Sequence, residues 1–278
     1  MAKQKVTIPQ LKEMKEQGKK IRMVTAYDYP TGVLVDKTDI ELILVGDSLG
    51  MVVLGYDGTV PVTMEEMIHH TKATVRGAKN TLIVGDLPFM SYNVSVEEAI
   101  RNAGRLMKEG GADCVKLEGG LSVVETVRAI VRAGIPVMAH IGLTPQTASQ
   151  LGGFKVQGKD VAAAERMITE AKALEEAGAF AIVLEAIPAQ LAALITKKIS
   201  IPTIGIGAGP HCDGQVLVIH DMIGLFDRFV PKFVKQYAKI SQTIVEALNT
   251  YAEEVSSGKF PGPEHSFTMK EEVLERLY

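Results

Sequence analysis

Short apolar runs rich in β-branched residues recur along the chain. Each is followed by a polar loop, an amphipathic stretch and then, often at a glycine, the approach to the next run. A run of this length fits a strand buried on both faces, and its alternation with amphipathic stretches is the βα unit of a parallel sheet. The expected strands are 22–27 (RMVTAY), 42–46 (LILVG), 81–85 (TLIVG), 114–118 (CVKLE), 136–141 (PVMAHI), 181–185 (AIVLE), 202–206 (PTIGI) and 215–219 (QVLVI).

The intervening helices carry start and stop signals. Thr63 with Glu66, Ser95 with Glu98 and Ser122 with Glu125 have the spacing of a capping box, in which each side chain satisfies an orphan backbone N–H of the other. Gly110, Gly134 and Gly178 stand where a left-handed C-cap would close three helices. Eight strands within the ~250 residues usual for the fold predict a closed (β/α)8 TIM barrel, since a doubly wound sheet would leave two open edges. Residues 7–17, with Thr7 and Gln10 as cap pair, predict an extra helix within an N-terminal helical plug (1–20) at the barrel's base. Residues 232–257 predict a long last helix, and a Pro-Gly-Pro turn at 261–263 and a short charged helix complete a C-terminal extension (232–278). No linker rich in Gly, Ser or Pro divides the chain, so 1–278 reads as one domain.

Composition narrows the function classes. With 46% hydrophobic residues over 278 positions, disorder is excluded as an account of the chain. A net charge of -3 and a pI near 6.1 lack the basic excess of a nucleic-acid binder. Cys114 and Cys212 have no CxxC or metal-finger spacing, and two free thiols suit a reducing, cytoplasmic location. No stretch approaches the roughly 18 unbroken apolar residues of a membrane span, and the N-terminus shows no signal region.

Polar residues at the strand ends carry the candidate chemistry, because a TIM barrel gathers its active site there. Asp47, Asp86, Glu118 and Glu185 follow or end the second, third, fourth and sixth runs, and His140 interrupts the fifth. Any one of them could cap the next helix or form a turn. Together on a closed barrel they would converge on one mouth, where so much negative charge demands a cation or a retained proton. Carboxylates without paired His or Cys favour Mg²⁺ or Mn²⁺ over Zn²⁺. Lys116 shares a strand face with Glu118, and its ammonium reads either as a structural ion pair or as a clamp for a substrate carboxylate. His140 reads either as a core histidine or as a site residue. His69, His70 and His265 read as surface residues. Gly205, Gly207 and Gly209 read as a phosphate cradle or as a tight, closely packed turn.

Taken in order, VGDSLG (45–50), GDLPF (85–89), VKLEGG (115–120), HIGLTPQ (140–146), LE (184–185), GIGAG (205–209) and DGQVLV (213–218) resemble the ketopantoate hydroxymethyltransferases, the first committed enzymes of pantothenate synthesis. The resemblance runs nearly end to end. It implies a (β/α)8 barrel of the phosphoenolpyruvate/pyruvate superfamily, with Mg²⁺ held near Asp47, Asp86 and Glu118. The 2-oxo acid would be bound by the metal and by Asp47, Ser48, Asp86 and Lys116, and Glu185 would be the general base. His140 is a further candidate for substrate binding. The resemblance also implies 5,10-methylenetetrahydrofolate as one-carbon donor and a homodecamer of two pentameric rings. Two other readings remain at this point. One is a Mg²⁺-dependent lyase or mutase of the same superfamily, acting on a 2-oxo acid without folate, for which Cys212 would be the only catalytic thiol available. The other is a non-catalytic barrel.

Overall fold

The computed structural model describes residues 4–226 and 228–278. Its strands are β1 (Ile21–Thr25), β2 (Leu42–Val45), β3 (Leu82–Asp86), β4 (Cys114–Lys116), β5 (Val137–Gly142), β6 (Ala181–Glu185), β7 (Thr203–Ile206) and β8 (Gly214–Leu217). All pair in parallel in chain order, and β1 closes on β8 with Met23 opposite Val216. The helices are α1 (Ile8–Glu16), α2 (Tyr29–Asp36), α3 (Leu49–Val52), α4 (Met64–Gly77), α5 (Val96–Arg105), α6 (Val124–Arg132), α7 (Val161–Glu176), α8 (Ala189–Lys198), α9 (Ile219–Met222), α10 (Ile240–Ser256) and α11 (Glu271–Leu274). The closed (β/α)8 barrel expected from the apolar runs is the one formed.

Strand alternation divides the core in two. Leu42 and Leu44, Leu82 and Val84, and Ala181 and Val183 pack with Leu11 of α1 in an inner cluster. Ile43, Ile83, Ile182 and Leu184 face outward onto helix residues such as Met67, Ala103 and Ile195. Because side chains alternate with period two, the inner rows continue upward to Asp86, Lys116, His140 and Glu185, so filling the lower barrel with aliphatic groups aims polar ones at its mouth. Leu11 among these residues makes α1 the plug expected at the base; residues 1–3 of that expectation lie outside the described residues.

The base is closed by carboxylates that the apolar pattern does not single out. Asp113, just before β4, accepts from Ile83 N–H of β3 (2.7 Å) and from Lys5 Nζ (2.7 Å). Asp213, just before β8, accepts from Thr203 N–H of β7 (2.9 Å) and from Lys15 Nζ (2.8 Å). Glu41, just before β2, accepts from Arg22 N–H of β1 (2.8 Å). Each satisfies a backbone donor at the start of the preceding strand, and two of the three also tie down the N-terminal segment. Asp36 does the same between α2 and β3. Burial opposes its charge, but bonds from Asn80 and Thr81 outweigh that and hold the carboxyl down to about 2.

Several local expectations need correction. The Thr63–Glu66 box forms in full, with Thr63 N–H donating to Glu66 Oε2 (2.8 Å) and Glu66 N–H to Thr63 Oγ1 (3.2 Å). Ser95 caps α5 through Glu98 N–H (3.1 Å), and Gln10 Oε1 accepts from Thr7 N–H (2.8 Å). Ser122 caps nothing, because Leu121–Val123 is a 3₁₀ turn and α6 starts at Val124. The left-handed residue closing the segment after α5 is Gly111 (φ 81°), not Gly110, which still belongs to a π-helical turn, Leu106–Gly110. The last long helix begins at Ile240 rather than at 232.

None of the residues of α10 is buried, although Ile244, Val245, Leu248, Tyr251 and Val255 are exposed along it. On the barrel wall, β8 is followed only by the four-residue α9, and a groove of about 890 Å³ runs along β1 and β8, lined in part by Val24, Leu217, Met222, Phe233 and Tyr237. Among the described residues no helix is long and apolar enough to cross a membrane.

Candidate active site

The residues expected at the strand ends come together in one buried network. Lys116 Nζ lies 2.8 Å from Asp86 Oδ1 and 3.7 Å from Glu118 Oε1. His140 bridges onward, with Nδ1 3.4 Å from Glu118 Oε1 and Nε2 3.3 Å from Glu185 Oε2. Asp47 N–H donates to Asp86 Oδ2 (3.2 Å), joining the β2 and β3 ends. Asp47, Asp86, Lys116, Glu118 and His140 are all buried, while Glu185 keeps some exposure on the far side of His140. Glu118 stands two residues beyond the last residue of β4, and bonds to β5 still flank it, from Leu117 N–H to Met138 O (3.3 Å) and from Gly119 N–H to His140 O (3.0 Å). His140 is thus a member of the site and not an isolated core histidine.

Electrostatics divides this network unevenly. Burial works against the charge of Lys116, yet Asp86, Glu118 and Asp47 raise its pKa above the usual lysine value. Burial and Lys116 oppose the charge of His140, but Glu118 and Glu185 outweigh them and push it up to about 9. Its charged ring has two N–H donors, suited to the carboxylates on either side. Glu118 is held below the usual range, because His140 and Lys116 outweigh its burial. Asp86 is raised, first by burial, with Lys116 offsetting part of the effect. Asp47 is pushed well above the carboxylate range by burial and then by Asp86 and Glu118. The group that retains a proton is therefore Asp47, beside Asp86.

That is where a hard cation fits. Two buried carboxylates from adjacent strands offer oxygen donors, and a nearby ion would take the place of the proton that Asp47 otherwise retains. Among the described residues no three His, Cys, Asp or Glu side chains are gathered as a ligand cage. Mg²⁺ does not need one, since it commonly takes one or two carboxylates and completes its shell with water and substrate oxygens. Ser48, also expected at the site, is next to Asp47 and has its Oγ 2.8 Å from the hydroxyl of the buried Tyr27.

Two backbone features fix Glu185. The next residue, Ala186, is left-handed (φ 46°), which is strained for a residue with a Cβ. Its N–H donates to Ile206 O (2.8 Å) and its carbonyl accepts from Gln157 N–H (2.9 Å), so neighbouring backbone holds the turn. Across from it, Gly142 (φ 101°) comes so close that a Cβ there would lie 2.2 Å from Glu185 O. Glu185 does not cap α8, whose N-cap is Pro188.

The other sequence candidates sort out plainly. His69 is exposed, but His70 is half-buried and its Nδ1 lies 2.7 Å from Tyr27 O, so the expectation of a surface residue fails for it. His265 is exposed. A Cβ at Gly209 would sit 2.4 Å from that of Ala189, and one at Gly207 would strike Phe233, which supports close packing as the reason for these glycines. Cys212 is fully buried, so it offers no accessible nucleophile. Gln146 and Tyr92 were not among the expected site residues, yet both are buried within it. Gln146 had a signal in hand, since it ends the HIGLTPQ motif.

Residues 5–263 match the family model described as "Ketopantoate hydroxymethyltransferase". The 3-methyl-2-oxobutanoate hydroxymethyltransferase of Heliobacterium modesticaldum (strain ATCC 51547 / Ice1) is 67% identical over 273 residues, covering 98% of this chain and 99% of that protein. That of Moorella thermoacetica (strain ATCC 39073 / JCM 9320) is 65% identical over 263 residues, covering 95% and 98%. Among solved structures, phosphonopyruvate hydrolase in complex with oxalate and Mg++ aligns with a TM-score of 0.61 at 11% identity, covering 97% of this chain and 94% of that one. A 2,3-dimethylmalate lyase of the PEP mutase/isocitrate lyase superfamily aligns with a TM-score of 0.58 at 15% identity, covering 97% and 93%. At such identities these structures speak for the barrel alone. The family match over most of the chain, together with relatives of such high identity along their whole length, shows that the chain belongs to the ketopantoate hydroxymethyltransferase family of transferases.

Proposed function

We propose that this chain converts 3-methyl-2-oxobutanoate, 5,10-methylenetetrahydrofolate and water into 2-dehydropantoate and tetrahydrofolate, with Mg²⁺ held by Asp47 and Asp86 and with Glu118 near it. The observation that carries the reading is the separation of roles across His140. Buried carboxylates lie on one side and Glu185, its side chain 15% exposed, on the other. A bound Mg²⁺ would supply Lewis acidity toward the 2-oxo acid and so acidify its C3–H. Glu185 then takes the C3 proton, and His140, whose Nε2 stands 3.3 Å from its Oε2, helps to hold the carboxylate in place through charge. Lys116 offsets the carboxylates and helps to hold the substrate's anionic end, as does the hydroxyl of Ser48, positioned by Tyr27. The carbon nucleophile so formed attacks the methylene carbon of the folate as one of its two C–N bonds breaks, and water replaces the second, leaving its oxygen as the new hydroxyl; the proton taken by Glu185 and one from water end on the two folate nitrogens of tetrahydrofolate.

The test is direct. Incubation with Mg²⁺, the folate and the 2-oxo acid should give 2-dehydropantoate by mass, and EDTA, Asp47→Asn or Asp86→Asn should each remove it. Turnover of the oxo acid without folate would instead indicate the lyase or mutase reading. No turnover under any of these conditions would sink the enzymatic one.

The same proposal includes assembly with further copies of this chain in the cytoplasm. An amphipathic helix with no buried residue, together with an unfilled groove where a (β/α)8 barrel carries its eighth helix, supports self-association. Light scattering should give a mass several times 30.0 kDa, reaching tenfold if the family's decamer forms. A monomer at micromolar concentration would refute it.

A further inference from the structure

The turn after β5 reaches three strand ends at once through a single residue. Gln146, in the 3₁₀ turn Pro145–Thr147, donates from Nε2 to Asp47 Oδ2 (2.9 Å) and to Leu87 O (2.9 Å), and its own N–H donates to Glu118 Oε2 (3.2 Å). Its Oε1 accepts from Tyr92 OH (2.6 Å), which itself accepts from Glu118 N–H (3.3 Å). Leu87 O can only accept, so Nε2 faces it and Oε1 faces Tyr92, whose single hydroxyl hydrogen has Gln146 Oε1 at 2.6 Å as its nearer acceptor and Glu118 O at 3.1 Å as its farther one. The second Nε2 hydrogen is left for Asp47, and it is usable only while Asp47 Oδ2 accepts. All of these groups are buried, so no water stands in for a lost partner.

We infer that Gln146, oriented by Tyr92, is a positioning residue that keeps one oxygen of Asp47 engaged and so presents the other in a fixed direction to a divalent ion. The inference rests on the proposal that Asp47 holds the metal. Outer partners of this kind typically change metal affinity by about 10–100-fold. A residue needed only for packing would lower stability and leave affinity alone.

Mn²⁺ is the probe, followed by its electron paramagnetic resonance signal or by calorimetry on the full chain without substrates. Gln146→Leu should bind Mn²⁺ about 10–100-fold more weakly than the wild type. Weakened binding in a variant with near-normal circular dichroism supports the inference, and affinity within twofold of wild type overturns it. Should Gln146→Leu fail to fold, Tyr92→Phe decides. It keeps the ring but removes the donor that fixes the amide, so a several-fold loss of Mn²⁺ affinity supports the inference and an unchanged affinity overturns it. A wild-type protein that takes up no Mn²⁺ overturns the metal assignment itself and this inference with it, an outcome visible before any variant is made.

Discussion

Glu185→Gln should lose exchange of the C3 proton of 3-methyl-2-oxobutanoate with deuterated water, by about 10²–10⁴ in rate, while still binding Mg²⁺ and the oxo acid. Exchange in the absence of folate isolates proton removal from one-carbon transfer, and NMR follows it directly. The size of the effect comes from the site's layout. Asp47, Asp86 and Glu118 lie where a cation would keep them ionised and weakly basic, whereas Glu185 stands beyond His140 with solvent access. The side chain of Gln keeps the shape but not the basicity. Undiminished exchange would mean another base. His140, left in that variant without the Glu185 carboxylate beside its Nε2, would be the next residue to test.

Lys116→Met should affect both stability and binding. The ammonium is buried and lies 2.8 Å from Asp86. Removing one member of such a pair leaves an uncompensated buried charge, a loss of about 3–5 kcal/mol. In a chain of this size that lowers the thermal midpoint by roughly 10 °C. Calorimetry should also show weaker binding of the oxo acid than of the folate relative to wild type, because only the oxo acid places its anionic end at this lysine. Equal losses for both substrates would return Lys116 to a purely structural ion pair, and an unchanged midpoint would deny it even that.

Both predictions depend on residues that sequence alone brings to notice, and the reason is periodicity. Each strand is an apolar run of period two, so the polar residue at its upper end inherits a known direction, as with Asp86, Lys116, His140 and Glu185. The carboxylates at the lower end are equally visible as letters. Their partners, however, lie on the previous strand or in the N-terminal segment, as when Asp213 accepts from Lys15. Contacts of that range have no local signature. Gln146 and Tyr92 act likewise through loops from different strands, and of the two only Gln146 had a local sign, as the end of the HIGLTPQ motif. Ser122 shows the converse: a capping spacing is necessary for a box, but the chain before α6 turns as a 3₁₀ segment and leaves the serine outside it. Residues 232–239 contain apolar and basic side chains that fit a helix pattern, yet the helix starts only at Ile240. The direct comparison of Asp47 with Glu118 was likewise closed to sequence, because their opposite pKa directions depend on which of them lies beside His140.

Closing the ring also sets the order of events during synthesis. Every strand pair but one joins neighbours in the chain; the exception is β1 with β8, beyond which Ile219 N–H of α9 donates to Thr25 Oγ1 across 194 residues. Until β8 has been made, one side of β1 is an unpaired edge, the kind of template on which chains aggregate. At about 5–20 residues per second, translation leaves that edge open for roughly 10–40 s. Helices and neighbouring strand pairs can form in that interval, since their contacts are local. Ring closure cannot, and a ribosome stalled before Leu217 would carry a nascent sheet with both edges unpaired.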